Sequence, residues 1–533
     1  MGRAAKAQSP GRDRSAFSSI APLRRPATIQ TMFQARATGL LLILLAFAVS
    51  PTLVADIPAM ADYPAHLARM HLLVADGTAD ANPFYEITWR MYPNLGMDLI
   101  VPQIARFVPV ESATRVFFLF TQLLLVSGAI ALELAVKRRH ELSGFAALLA
   151  LHSLPFSLGL INFEFGMAIA LWGAASWIAV RERSETLRFA VHAGFVAALF
   201  VAHFFALGIY GATLGVLELQ RTISQKAGIR DAARSFALLV VPALAVLGLM
   251  VATGGSIGER GTEWILTWKP IWLFLALNGY SIHVAAASAA ILGVTIAFLL
   301  FKKSLQVSGP GKWLAVAFLL LFIAMPSRIV GTKFVDIRLL IAAILIVPAF
   351  ATIEPVRRAR EVAAAAVSAI VLTNSIVVGK VWLDYQREYA ALKSSFKHVK
   401  RGATVLVGWS DPGASSVLMD APMKRGPTLA VYYAAALVPS FYTNPGAQPI
   451  ELRKEFRRFD IDIATESYDP PPVALLALTA RNVNPPDAPA YLSNWVAHFD
   501  YLYLVGPRTP NPLPELLEEA AGGERFALYR IKK

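Results

Sequence analysis

The sequence predicts a mostly α, polytopic helical membrane protein with a C-terminal extracytoplasmic α/β domain. Three observations carry this prediction. Apolar runs of about 17 residues or more, the length that crosses a hydrocarbon core, recur as far as residue 382. The chain is 56% hydrophobic and only 16% charged, with a mean hydropathy of +0.52, whereas a soluble domain carries roughly a quarter charged residues. From residue 383 onward, prolines, aspartates and short strand-like runs replace the long apolar stretches.

The formal net charge of +14 would point a soluble protein toward nucleic acid. Here the basic residues fall between apolar runs, where positive-inside topology puts them. The expected partner is therefore the lipid bilayer and not nucleic acid. The absence of cysteine excludes disulfides, thiolate zinc sites and cysteine nucleophiles.

Residues 1–36 form a basic tail with Arg12, Arg14, Arg24, Arg25 and Arg36. The first span, Ala37–Val54, reads as an uncleaved anchor, because no small-x-small cleavage site precedes Asp56. A large first loop, 55–112, follows, and Leu95–Val108 within it has the amphipathic character of an interfacial segment. Later spans are expected at Ala113–Val136, Ser143–Leu158, Asn162–Val180, Leu187–Ala202, His203–Leu219, Ser235–Thr253, Ile282–Phe301, Trp313–Pro326, Val335–Thr352 and Val362–Trp382. That makes about eleven spans in a transmembrane domain over 37–382. Ile271–Tyr280 is too short to cross and reads as re-entrant. The domain over 383–533 shows strand-like runs at Ala403–Val407, Asp460–Ala464, Tyr501–Val505 and Phe526–Ile531, separated by Gly/Pro turns.

Alternating sides from a cytoplasmic N-terminus tests the topology. The cytoplasmic loops then hold Lys137–Arg139, Arg181 with Arg183 and Arg188, Arg221 through Arg234, Lys302 with Lys303 and Lys312, and Arg357 with Arg358 and Arg360. Five loops agree with the positive-inside rule. The first loop, the Ser327–Phe334 loop and the C-terminal domain fall outside, in the periplasm of a bacterial inner membrane.

The chemistry concentrates where the first span leaves the membrane. Asp56-Ile-Pro-Ala-Met-Ala-Asp62-Tyr-Pro-Ala-His66-Leu-Ala-Arg69 gathers two carboxylates, a histidine and an arginine. Pro64 favours a helix start, which puts Asp62 and His66 four apart on one face with Arg69 a turn further on. A carboxylate beside His and Arg suits a general base, or a ligand for a divalent cation, next to a phosphate-binding cation. The competing reading is that Asp62 only caps the helix. Charged groups at membrane depth are functional candidates by default, which adds Glu164, His203 and the deeper His152. Arg328, Lys333, Asp336 and Arg338 cluster at an outer boundary against the positive-inside trend. They suit a lipid phosphate, or else Asp336 and Arg338 form a structural pair. The Gly254–Arg260 loop lacks the Lys-Ser/Thr of a P-loop, and His398 and His498 are isolated.

On these residues the chain resembles the GT-C superfamily of membrane glycosyltransferases. The resemblance rests on Asp56 and Asp62-Tyr-Pro-Ala-His66 after span one, and on short spans broken near His203. It rests also on Lys333-Phe-Val-Asp-Ile-Arg338 before a final helix and external domain, and on the ending Phe499-Asp-Tyr-Leu-Tyr-Leu-Val-Gly506 with Arg525-Phe-Ala-Leu-Tyr-Arg530. It implies transfer of a sugar from a polyprenyl-phosphate carrier to an envelope glycan, lipid or protein. Asp62 would be the base, with Asp56 as its rival, and Arg338, Lys333, Arg69 and Arg328 would bind the carrier phosphate. A divalent cation, if used, would fall to Asp56, Asp62 and His66. The sequence departs from the family in carrying Tyr63 where many members follow the aspartate with glutamate. Two other readings stay open: a flippase for lipid-linked sugars, although no internal repeat is evident, and a non-catalytic protein of envelope assembly.

Overall fold

The protein is described by a computed structural model covering residues 27–252, 261–329, 332–354, 357–410, 421–441, 443, 448–461, 469–486 and 488–533. Most of the basic tail, the 254–260 loop and most of the expected 460–464 strand lie outside these residues.

Helix α1 spans Ala27–Val54, and the first loop then folds into α2 (Tyr63–Ala75), strand β1 (Tyr85–Ile87) and α3 (Gly96–Ile104). The bundle continues with α4 (Val110–Lys137), α5 (Ser143–Ala150), α6 (Leu154–Leu158), α7 (Ile161–Ala179), α8 (Glu185–Ala202), α9 (Phe204–Ser224) and α10 (Ile229–Ala252). Short α11 (Lys269–Leu275) precedes α12 (Ile282–Phe301), β2 (Leu305–Val307), α13 (Gly309–Ala324), β3 (Arg328–Ile329), β4 (Thr332–Lys333), α14 (Ile337–Ile346), β5 (Ala351–Ile353) and α15 (Arg357–Ser395). Among the described residues, seven helices are long and apolar enough to cross a membrane, and 309–324 and 337–350 form shorter apolar helices. The expected single span over 143–158 is instead two helices. The chain leaves helical geometry at 151–153, and Pro155 restarts it in the first turn of α6.

The turns sort to two ends. At one end Glu133 is buried and accepts from the backbone N–H groups of Glu141, Leu142 and Ser143 at 2.8–3.2 Å, closing the start of α5. Lys137 pairs with Glu133 at 2.6 Å, and Arg360 with Glu141 at 3.7 Å. Arg181 and Arg221 pair with Glu218, and β2 pairs with β5. The five basic turns of the sequence therefore share this end. The other end holds α2, α3, the α6–α7 and α8–α9 links, α11 and the 327–336 hairpin. There Tyr280 Oη donates to the Ala59 carbonyl at 3.0 Å and receives Trp382 Nε1 at 2.8 Å.

Helix α15 has 39 residues, a length of about 58 Å at 1.5 Å per residue, so it extends well beyond a hydrocarbon core of about 30 Å. Its far half carries Trp382, Tyr385 and Tyr389 into the core of the C-terminal region. The helix thus runs unbroken through the composition change at 382/383. Beyond it, β6 (Val405–Trp409), α16 (Ala421–Lys424), β7 (Ile450–Leu452), β8 (Tyr501–Val505), β9 (Leu517–Gly522) and β10 (Phe526–Ile531) follow. The sheet order is β6-β8-β10-β9, with β6 parallel to β8 and the other pairs antiparallel. Three of its four strands match expected runs, whereas β9, with exposed Glu518 and Glu519, gave no apolar signal. Strand β7 leaves this sheet and pairs with β1 of the first loop, Tyr85 opposite Leu452.

Asp336 is fully buried beneath α11. It accepts from Ser327 Oγ at 2.8 Å, Trp272 Nε1 at 3.1 Å and Lys269 Nζ at 3.4 Å. The expected Asp336–Arg338 pair is not formed, because Lys269 and its neighbours already satisfy the carboxylate. Removing one partner of a buried pair costs about 3–5 kcal/mol. Lys269→Met should therefore lower the thermal midpoint of the detergent-solubilised protein strongly, and Lys269→Met/Asp336→Leu should recover part of the loss. A single variant with the wild-type midpoint would refute the account of this pair.

Candidate functional site

Asp62 precedes α2, as its sequence predicts, but its side chain makes no cap hydrogen bond. Its carboxylate instead meets the Arg425 guanidinium, Nε to Oδ1 3.3 Å, and both groups are largely buried. Arg425 follows α16 and is held in turn by the Ser440 carbonyl at 2.9 Å. The backbone of Asp62 is fixed by the α6–α7 link: Ala61 N–H donates to Ser157 O at 2.9 Å and Asp62 N–H to Leu158 O at 3.0 Å. Gly159 turns this link with φ +80°, and a Cβ there would lie 3.3 Å from the amide nitrogens of Asp62 and Tyr63. The position thus requires a residue with no side chain.

His66 lies a turn along α2, its Nε2 3.1 Å from the Gly159 carbonyl. A carbonyl only accepts, so Nε2 carries the proton and Nδ1 keeps its lone pair. Burial pushes the His66 pKa below its ordinary value; nearby Asp62 opposes this and Arg69 adds to it. The imidazole is neutral at pH 7.

The cations of the 327–338 segment complete the group. Lys333 pairs with Asp469 at 3.1 Å. Burial raises the Asp469 pKa, but the charges of Lys333, Arg425 and Lys424 outweigh it and hold the carboxyl at about 2. Arg338, in the first turn of α14, is 4% exposed and lies over the rings of Phe163 and Phe205 at 5.2 and 5.7 Å. Its Nη2 donates to the Lys333 carbonyl at 3.4 Å, while its Nε is buried with no partner among the described residues. Asp62 thus meets Arg425, whose charge also acts on the Asp469 paired with Lys333, and Arg338 lies against the backbone carbonyl of Lys333. The start of α7 bridges the two halves: Gly159 touches Asp62, Phe163 faces Arg338 and His203, and Gly166 packs against His203.

Several expected residues are engaged elsewhere. The Asp56 carboxylate is 92% exposed and pairs with Arg115 at 3.4 Å. Arg69 is locked onto buried Asp98 through Nε and onto Gln448 through Nη1. Arg328 pairs with Glu263 at 3.4 Å at the surface. His203 caps α9, its Nδ1 accepting from Phe205 N–H at 3.2 Å, and His152 holds the Ala48 carbonyl at 3.1 Å. Glu164 is buried in the first turn of α7, with Oε2 lacking a partner among the described residues.

The donors expected for a divalent cation are not assembled. Asp56 faces solvent, Asp62 is paired with Arg425, and His66 Nε2 is committed to a carbonyl. Among the described residues, no three His, Cys, Asp or Glu side chains gather to hold a metal ion.

Sequence reasoning missed Arg425, Asp469, Lys269 and Asp98. One signal was available for the first: Lys424-Arg425 is a basic pair in the region that the sequence is expected to place outside, where positive-inside topology does not call for one.

No protein-family model matches the sequence, and no curated protein matches it. Among solved structures the chain is similar to ArnT from Cupriavidus metallidurans, both bound to undecaprenyl phosphate and in the apo state. The identity is 11% in each case, over 92% and 94% of this chain and 98% of ArnT, with TM-scores of 0.48 and 0.49. A likeness at this level assigns no role to any residue here.

Because folding lowers the His66 pKa, the unfolded chain binds the proton first. The stability that neutral His66 contributes is full above about pH 6.5 and falls as the pH drops through that value. Between neutral pH and about pH 5 the wild-type thermal midpoint should fall further than that of His66→Gln. Equal falls would contradict a buried neutral His66.

Proposed function

We propose that the chain is an integral membrane glycosyltransferase. It moves a sugar from a polyprenyl-phosphate carrier to an envelope acceptor at the external face of a bacterial inner membrane. The observation that carries this reading is the contact of Asp62 with Arg425, with the Lys333–Asp469 pair under the charge of the same Arg425 and Arg338 against the Lys333 backbone, at the end of the bundle away from the basic turns. Positive-inside topology puts the basic turns and the N-terminus in the cytoplasm, and hence Asp62 and the 383–533 domain in the periplasm.

In the proposed reaction, the acceptor hydroxyl gives its proton to Asp62 as its oxygen bonds to the anomeric carbon. The bond from that carbon to the carrier phosphate breaks on the opposite face, and configuration inverts. The leaving phosphate needs charge stabilisation more than a proton. Arg338 supplies a desolvated guanidinium with donor capacity to spare, and Lys333 and Arg425 add charge beside it. Arg425 aims Asp62 through their 3.3 Å contact. His66, with its free Nδ1 lone pair, is placed to orient the hydroxyl. No step is assigned to a metal ion.

Transfer of labelled sugar from polyprenyl-phosphate donors by the purified protein tests this. Asp62→Asn should lower the rate about 10²–10⁴-fold, the usual contribution of a general base. Asp56→Asn at equal folding should leave it at the wild-type level. Undiminished transfer in Asp62→Asn would remove the proposed base. Movement of the lipid-linked sugar across the bilayer without transfer would favour the flippase reading.

A further inference from the structure

The cytoplasmic end of the proposed topology holds a second polar site that the transfer reaction does not use. Helices α8, α9 and α10 enclose a cavity of about 290 Å³ whose lining includes Arg188, Glu218, Arg221, Thr222, Gln225 and Arg234. Two of the three carboxylates in its lining, Glu218 and Glu185, are paired with arginines. Buried Glu218 is held by Arg181 at 3.4 Å, Arg221 at 3.2 Å and Trp177 Nε1 at 3.2 Å. Glu185 pairs with Arg234, and Asp231 is exposed in the first turn of α10.

Arg188 is different. It is 7% exposed and lies over the Trp177 ring at 4.6 Å. Its Nε and Nη2 are both buried with no hydrogen-bond partner among the described residues. Those two nitrogens form the edge of a guanidinium that takes two oxygens of an oxyanion side-on. A buried edge of this kind left unfilled is costly. The Thr222 hydroxyl and the Gln225 amide N–H groups are suited to further oxygens of the same group, and Arg221, which donates Nε to Gln225 Oε1 at 3.1 Å and Nη1 to Glu218 at 3.2 Å, adds charge beside them.

We propose that this cavity binds a phosphate-bearing anion, held side-on by Arg188 and flanked by Arg221, Thr222 and Gln225. The phosphate belongs either to an anionic lipid headgroup of the leaflet at this end or to a soluble phosphate compound. The proposal stands apart from the transfer reaction and does not depend on it.

The test uses the full chain in dodecyl maltoside and reads the thermal midpoint. Inorganic phosphate is titrated against chloride at equal ionic strength, and phosphatidylglycerol is titrated separately. The wild type should be stabilised saturably by one of them. Phosphatidylglycerol acting alone assigns a lipid headgroup, and inorganic phosphate acting alone assigns a soluble ligand. Arg188→Lys keeps the charge but loses the fork, and should raise the half-saturating concentration about tenfold or more. Thr222→Val removes one donor, leaves the arginines in place, and should raise it several-fold; it decides the matter if Arg188→Lys folds poorly. Arg401→Gln, at an exposed pair with Asp80 outside both sites, should respond as the wild type does. Stabilisation by neither probe overturns the proposal. So does equal half-saturation in the wild type and the cavity variants, or a response lost in Arg401→Gln but kept in Arg188→Lys.

Discussion

The contact between Asp62 and Arg425 sets the terms for the rest of the molecule. It joins a loop that follows the first span to a turn deep in the C-terminal region, and both side chains are largely withdrawn from water. Charges so placed are costly unless their partners are fixed in advance. The fixing is visible in three directions. The α6–α7 link holds the backbone at Asp62, and Gly159 admits the close approach. Ser440 holds Arg425. Pairing of β1 with β7 ties the same loop to the same region a second time. With the long α15 running from the bundle into the C-terminal core, the C-terminal region is part of the site's scaffold.

The two ends of the bundle treat charge differently. At the basic end, carboxylates are ringed by cations: Glu133 by Lys137, Glu141 by Arg139 and Arg360, and Glu218 by Arg181 and Arg221. Such arrangements neutralise and anchor. At the other end, Arg338 is desolvated between aromatic rings with a donor unfilled, while Lys333, Lys424 and Arg425 crowd one aspartate. A desolvated guanidinium whose Nε has no partner among the described residues fits a phosphate that arrives from the bilayer, which is the basis of the proposed transferase.

The membrane class was legible because long apolar runs are a one-dimensional signal. Asp62 and His66 were legible because Pro64 marks a helix start. The partners were not. Arg425 reaches Asp62 only through tertiary folding, and no local pattern announces it. Arg69 looked like a free cation because Asp98, which locks it, lies in a different helix. Asp336 and Arg338 are two apart in sequence, yet they point to different neighbours, Lys269 and the Phe163–Phe205 pair, once α14 begins between them. The 143–158 run was uniformly apolar, and only Pro155 hinted that it would break.

The proposed transferase requires Arg338 and Lys333 to hold the phosphate of a polyprenyl carrier. The most direct test is equilibrium binding of a polyprenyl monophosphate to the protein in neutral-lipid nanodiscs, with the uncharged polyprenol as the comparison. The account predicts saturable binding of the phosphate, weakened about tenfold or more by Arg338→Gln and by Lys333→Gln as charge-assisted contacts are lost, and no comparable binding of the alcohol. Equal binding by the wild type and both variants, or polyprenol bound as tightly as its phosphate, would contradict it.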